Sequence, residues 1–426
     1  MNRRDLLIAS GLFLLARARA SAQSGSAPSV QGQTTPQQRL LDALKANRLP
    51  IMMTDGRPSG RGWDWLVQQA RDAHFTLVGE EHGVAETAQL AGALFPALRG
   101  SGYTRMAIEL SPVVAQDIET AARRNGLQGI LDFFAQPNTW SPLYLREEAQ
   151  LMASVINAAP RDERVLWGID REIFSDRYLI ARLEPKVPSR ARASFARLKE
   201  ASLNAYEQNL KNPGPPFLFT ADPALVSAVR AEWPNPDRVS DTILRTLEET
   251  LTMNTRSANA WESSDRRAQW MRNSLAALLK ADRNRQPTPK VMVKAGYNHM
   301  IRGPNYVDIF DVGSMPDEVA QLSGDRAFHI IALPGPGSRQ AVLGANRSFD
   351  SVSSDEFDEF KAGDQRLTRV LSNANATGHE VIDMRPLRNL AMRGLESWNA
   401  DVVKTIHGYD AAVIWKGARA SVSGGR

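Results

Sequence analysis

The stretch Phe75–Gly83, FTLVGEEHG, decides the reading of this chain. Its apolar run, Phe75 to Val78, stops at Gly79, and Glu80, Glu81 and His82 follow at once. Far downstream, Val291–His299, VMVKAGYNH, repeats the pattern: an apolar run meets Gly296, and a histidine stands three residues later. Short apolar runs bounded in this way read as buried strands. In open parallel sheets, functional groups gather just beyond the carboxyl ends of the strands.

Working outward from these two runs, Met106–Leu110 and Arg164–Ile169 are further strands, and helical patterns fill Gln37–Arg48, Gly60–Ala73, Ala85–Leu98, Pro112–Arg124 and Leu145–Ala158. Alternation of strand and helix argues for an α/β fold with a mostly parallel central sheet covered by helices. From Glu172 to Asp282 strand signals vanish and charged, alanine-rich helical patterns take over, so a large helical insertion is expected there. Strand candidates resume at Lys290–Ala295, Tyr306–Phe310, Ala327–Leu333, Glu380–Ile382 and Ala411–Trp415, whereas Val342–Asn375 reads as a polar loop. The expected division is an export signal over 1–22, a disordered leader over 23–36, the first half of the core over 37–171, a helical cap over 172–285 and the second half over 286–426.

The N-terminus has the order of a twin-arginine signal: Arg3 and Arg4, an apolar segment Leu6–Leu15 too short to span a bilayer, then a small-residue cleavage site at Ala20-Ser21-Ala22. This predicts a periplasmic or secreted protein with no membrane attachment after cleavage. Removing four arginines and one aspartate with the signal takes 52 basic and 47 acidic residues to 48 and 46, so the net charge falls from +5 to +2. With the remaining basic residues scattered, nucleic acid is not an expected partner; a small-molecule substrate is. The chain has no cysteine, which excludes disulfides, a thiol nucleophile and thiolate metal sites.

Four polar clusters stand at strand ends: Glu80-Glu81-His82, Glu109, Asp170 and Asn298-His299. A single strand-end glutamate commonly caps the following helix; four such clusters on one rim predict a shared site. Glu86, four residues after His82, can face the same pocket if a helix begins near Gly83. Alternation points Glu81 away from Glu80 and His82. The chain has only six histidines, and His82 and His299 occupy the matched Gly-x-x-His positions. No Gly-x-Ser-x-Gly, His-Glu-x-x-His or phosphate-binding loop occurs. What remains is carboxylate and imidazole chemistry on water. Either a neutral histidine takes a proton from water beside an orienting carboxylate, or His82, His299, Glu80 and Glu109 hold a divalent metal that acidifies bound water.

The ordered set GEEHGVAE (Gly79–Glu86), GYTRMAIE (Gly102–Glu109), VLWGID (Val165–Asp170) and KVMVKAGYNH (Lys290–His299) resembles the erythromycin esterase-like family, and Gly408–Ile414 is similar to its closing strand. The resemblance implies that Glu80, His82 and Glu86 fall on the motif whose histidine activates water for lactone hydrolysis, with Glu109 on the second motif and His299 on the last. Arg267 resembles the arginine of a helical motif before the last strand. One residue, not two, separates Glu80 from His82, a spacing more like the related ChaN-type haem-binding and TIKI-type metalloprotease families. The implied activity is hydrolysis of an ester or lactone, with His82 as base and Glu80, Glu86, Glu109 and His299 around it. Glu81, Asp170, Asn298 and Arg267 stand behind them. The alternatives are haem or metal binding without turnover, or a metal-dependent peptidase.

Overall fold

A computed structural model describes residues 34–136, 138–139, 141, 143–212, 214–283, 289–335, 338–343, 348–353, 371, 378–394 and 400–423. The run Phe75–Glu80 forms a strand buried at every position, as a strand covered on both faces requires. In chain order the strands are β1 (Arg48–Thr54), β2 (Arg57–Ser59), β3 (Phe75–Glu80), β4 (Tyr103–Ile108), β5 (Leu166–Gly168), β6 (Lys290–Gly296), β7 (Ala327–Pro334), β8 (Ser338–Leu343), β9 (Ser348–Ser353), β10 (His379–Asp383) and β11 (Ala411–Trp415). Nine of them make one sheet in the order β2-β1-β10-β11-β7-β3-β6-β4-β5. The six strands from β11 to β5 are mutually parallel, and β10, β1 and β2 extend the sheet antiparallel. β3 therefore sits between β6 and β7, both contributed by the second half of the chain.

Alternation along these strands feeds two cores. Val78, Met292, Met106 and Ile108 pack with Leu90, Leu94, Phe134 and Leu151 on one face of the sheet. Phe75, Leu77, Val291, Val293 and Ala107 pack with Leu40, Met271, Leu275 and Ile406 on the other. By the same parity Glu80 and Lys294 belong to the first face, with helix Arg146–Asn157, and Glu109 to the second, with helix Ala260–Arg283. Carboxylates at the ends of neighbouring strands are thus delivered to opposite sides of one rim.

Between β5 and β6 the described residues contain helices and short 3₁₀ turns but no strand, the longest helices being Arg192–Lys211, Arg238–Thr255 and Ala260–Arg283. Residues from Pro36 onward form one compact unit that includes these helices. No helix among the described residues is long and apolar enough to cross a membrane. The export signal and most of the leader lie outside the described residues.

Two local expectations are corrected, and one element had no expectation to correct. Tyr306–Phe310 is a loop, not a strand: Asn305 accepts hydrogen bonds from the amides of Val307 and Ile309, and Asp308 adopts a left-handed φ of 60°. Within Val342–Asn375, residues 342–343 and 348–353 belong to the antiparallel hairpin β8–β9 rather than to a loop; apart from Leu371, the rest of that segment lies outside the described residues. The hairpin β1–β2 has no clear sequence signal, because Pro50 argues against a strand; β1 forms along the antiparallel edge, with Pro50 opposite Glu380.

Candidate active site

Two glycines let the rim close. A Cβ at Gly79 would stand 2.9 Å from the Tyr297 backbone, so β3 and the turn after β6 approach to a distance only glycine permits. A Cβ at Gly296 would lie 3.3 Å from His82 Nε2, and the Gly296 amide donates instead to Glu109 Oε2 at 2.8 Å. The two matched glycines of the sequence therefore serve one purpose, bringing backbone close to the polar groups of the rim.

His82 spans the rim. Its Nδ1 stands 3.0 Å from Glu80 Oε1 on the first face, and its Nε2 stands 3.6 Å from Glu109 Oε2 on the second. Glu80 is buried, and its Oε1 also lies 2.6 Å from Lys294 Nζ. Lys294, wholly buried in β6, meets both oxygens of Glu148 at 2.9 and 3.0 Å. Burial alone would raise the pKa of Glu80, but Lys294 and then His82 outweigh it and lower it. Glu148 moves the other way, pushed up to about 7 by burial and by the Glu80 charge. Burial would lower His82, but Glu109 and the hydrogen-bonded Glu80 raise it to about 9. The ring is therefore mostly an imidazolium near neutral pH.

On the second face, Arg267 donates to both oxygens of Asp170, at 3.0 Å from Nε and 2.6 Å from the guanidinium nitrogen that also reaches Glu109 Oε1 at 2.5 Å. His299 holds Asp311 through Nδ1 at 2.7 Å and presents Nε2 to Glu109 Oε1 at 3.8 Å. Burial would lower the His299 pKa, and Asp311 more than offsets it. Burial would raise Glu109, yet His82, Arg267 and His299 hold its carboxyl well below the usual range. A small recess lies against His82, Glu109, Ser111, Asp170 and Glu172. It offers water centres about 20 Å³, slightly more than the ~10–15 Å³ that one water needs.

Of the sequence-derived candidates, the structure brings together Glu80, His82, Glu109, Asp170, Arg267 and His299. Three others are placed elsewhere. Glu86 lies on the far side of the turn, where Arg419 bonds it from Nε at 2.7 Å and from its amide at 3.1 Å; the helix begins at Ala85, which turns the carboxylate toward the chain's last segment. Asn298 accepts from the Tyr306 amide and braces the loop before Asp311. The Glu81 amide donates to Ala332 on β7. Lys294, Glu148 and Asp311 were not among the candidates. For Lys294 a signal existed, since a lysine inside an apolar strand must find a buried counter-charge.

The residues present do not fit a divalent metal. Among the described residues no three His, Asp or Glu side chains are arranged to hold one. The place a cation would take against Glu109 and Asp170 is filled by the Arg267 guanidinium.

No model of a known protein family matches the sequence, and comparison with curated proteins finds no match. Solved structures do match. A succinoglycan biosynthesis protein aligns with a TM-score of 0.62 at 13% identity over 92% of this chain and 100% of that one. A Bacillus cereus protein aligns with a TM-score of 0.56 at 14% identity over 91% and 99%. A mutant of the erythromycin esterase EreC in its open conformation aligns with a TM-score of 0.55 at 13% identity over 85% and 95%. At such identities the likeness establishes the fold and leaves the chemistry to the residues. The chain shares the fold of erythromycin esterase EreC over most of its length.

Proposed function

We propose that this protein is a hydrolase that cleaves an ester or lactone with an activated water. The observation that carries this reading is the fixed orientation of His82: Glu80 holds Nδ1 at 3.0 Å, and Nε2 faces Glu109 across a gap of 3.6 Å beside a water-sized recess. A water in the recess beside this contact can reach both groups from the side. His82 Nε2 takes the proton as the water oxygen attacks the acyl carbon, Glu80 steadies the resulting imidazolium, and Glu109 positions the water; the imidazolium then returns the proton to the leaving alkoxide as the ester C–O bond breaks, giving acid and alcohol. Arg267 keeps Glu109 ionised. His82 is a third exposed, so an acyl group reaches it from solvent. The helices between Glu172 and Arg283, which supply Arg267, would then form a cap that shapes access for a small-molecule substrate.

The test is hydrolysis of p-nitrophenyl butyrate and simple lactones by the full chain. His82→Ala is expected to lower kcat/KM by about 10²–10⁴-fold. Because the ring must be neutral to accept a proton, the rate should rise with pH and level off above about 9. A flat profile, or an unimpaired His82→Ala, would sink the assignment. Since the donor set does not suit a metal, prolonged chelation should leave the rate unchanged; loss with recovery on adding zinc would move the site to the metal-dependent reading.

Export remains part of the proposal on the strength of Arg3, Arg4, the apolar segment and Ala20-Ser21-Ala22. N-terminal sequencing of protein from the periplasmic fraction should begin at Gln23. Recovery of intact protein from the cytoplasm alone would refute it.

A further inference from the structure

Arg171 lines the recess with His82, Glu109 and Asp170, and it is partly buried. Its Nη1 donates to Asn254 Oδ1 at 2.7 Å, and its guanidinium carbon stands 5.1 Å from the centre of the Phe219 ring. Both partners are neutral. Both also belong to the helical insertion, Asn254 to helix Arg238–Thr255 and Phe219 to helix Phe217–Thr220. Among the described residues no carboxylate pairs with the Arg171 guanidinium, and its Nη2 makes no hydrogen bond. Nε is sealed from solvent without a partner, whereas Nη2 is not sealed.

The carboxylates around it are committed elsewhere. Asp170 and Glu109 are both held by Arg267. Glu172 accepts from the Ser111 hydroxyl and from the amides of Ile173, Phe174 and Ser175. Burial, and then the Arg267 charge, outweigh Asp170 and Glu109 and lower the Arg171 pKa to about 10. A charge taken partly out of water without a counter-charge is costly, and an incoming anion supplies what the protein withholds. A phosphate dianion would meet Asp170 and Glu109 with twice the repulsion that a carboxylate meets. A singly charged carboxylate is therefore the better match.

We propose that Arg171 is the specificity-determining residue of the rim, where its Nη2 receives a carboxylate carried by the substrate, so that the esters cleaved are those bearing a free carboxylate. The proposal rests on the hydrolytic reading of His82 and names its substrate class. Arg171 is fixed from the side of the insertion helices and His82 by Glu80, so the carboxylate binds apart from the scissile bond. A charge-assisted hydrogen bond of this kind separates charged from neutral esters by about ten- to a hundredfold.

The full chain is assayed on p-nitrophenyl hydrogen glutarate and adipate against p-nitrophenyl pentanoate and hexanoate, with self-cleavage subtracted. 4-Carboxyphenyl butyrate against 4-carbamoylphenyl butyrate places the charge on the alcohol side. At least one charged ester should exceed its neutral counterpart in kcat/KM by about tenfold or more, chiefly through KM. Arg171→Gln should bring that ratio close to one, and Arg171→Lys, which keeps the charge, should restore part of it. The proposal is overturned if no charged ester is preferred. It is overturned equally if Arg171→Gln lowers charged and neutral esters by the same factor, which would make Arg171 a support of the reaction or of the fold. A binding measurement keeps this result apart from the hydrolytic reading. Saturation-transfer NMR of the His82→Ala chain should detect monomethyl adipate but not dimethyl adipate, and adding Arg171→Gln should abolish the signal. If no ester is hydrolysed at all, the reading of His82 fails and this binding decides Arg171: its presence upholds the carboxylate site and its absence overturns it.

Discussion

At the scale of single residues, the site turns on the charge state of His82. A pKa raised from 6.5 to about 9 means the folded protein holds a proton that the unfolded chain has lost over that interval. The associated stabilisation is fully present below about pH 6.5 and vanishes as pH rises through 9. The stability advantage of the native protein over His82→Gln should therefore shrink between those limits, as read by denaturant midpoints at a series of pH values; an advantage that grew with pH would contradict the Glu80–His82–Glu109 arrangement. Glu80→Gln should act on the same equilibrium. It removes the charge that steadies the imidazolium, so the alkaline plateau of the rate profile should begin at lower pH, with a smaller rate because the ring is less well oriented. A Glu80→Gln profile superimposable on the native one would show that the 3.0 Å contact has no bearing on the base.

At the scale of elements, β6 carries the most consequential side chain of the interior. Lys294 is wholly buried between Glu80 and Glu148, which belong to β3 and to helix Arg146–Asn157. Replacing one partner of such a set leaves uncompensated charge, a loss of about 3–5 kcal/mol, whereas replacing an opposed pair by apolar groups is often neutral. Lys294→Met alone should be severely destabilised, and Lys294→Met with Glu148→Leu should recover most of the loss in thermal melts. Equal destabilisation of the two would mean that the triad is not the unit of stability. The same strand shows what the sequence could and could not disclose. Apolar runs ending in Gly-x-x-His marked β3 and β6, and strand ends marked Glu80, His82, Glu109, Asp170 and His299. The partners that give those residues their charge states were hidden, because Glu148 and Lys294 meet across 146 residues and their pairing depends on which strands become neighbours. Glu86 misled for a related reason: spacing placed it one turn from His82, but the true helix start at Ala85 sets the direction of its side chain. Tyr306–Phe310 is apolar except at Asp308 and so reads like a strand, yet Asn305 takes the amides of Val307 and Ile309 locally and closes a loop.

At the scale of the whole molecule, the chain's last described segment is tied back to the first half of the fold beside the site. The Arg419 carbonyl accepts from the Ala85 amide, the Ser421 amide donates to the Gly83 carbonyl, and the Val422 amide and carbonyl join Glu147 and Arg146. Isolated bridges pair Val84 with Ala420 and Leu145 with Ser423. These contacts grip the starts of two helices, one of which follows the turn that carries His82, while the other holds Glu148. Ending the chain after Lys416 would strip Glu86, 2% exposed, of both its Arg419 bonds and leave several backbone groups open. Each such buried polar group left unpaired costs about 1–3 kcal/mol. The shortened protein should melt well below the native one, and hydrogen exchange at residues 81–87 should quicken. Ester hydrolysis should fall in proportion to the lost order of the His82 turn. Arg419→Ala separates the two components, since it removes the guanidinium but keeps the backbone ladder. If it reproduced the full effect on exchange, the carboxylate pair would be the anchor; if only truncation did, the ladder would be. Native-like exchange and melting in the truncated chain would show that the turn bearing His82 is held by β3 and β6 alone.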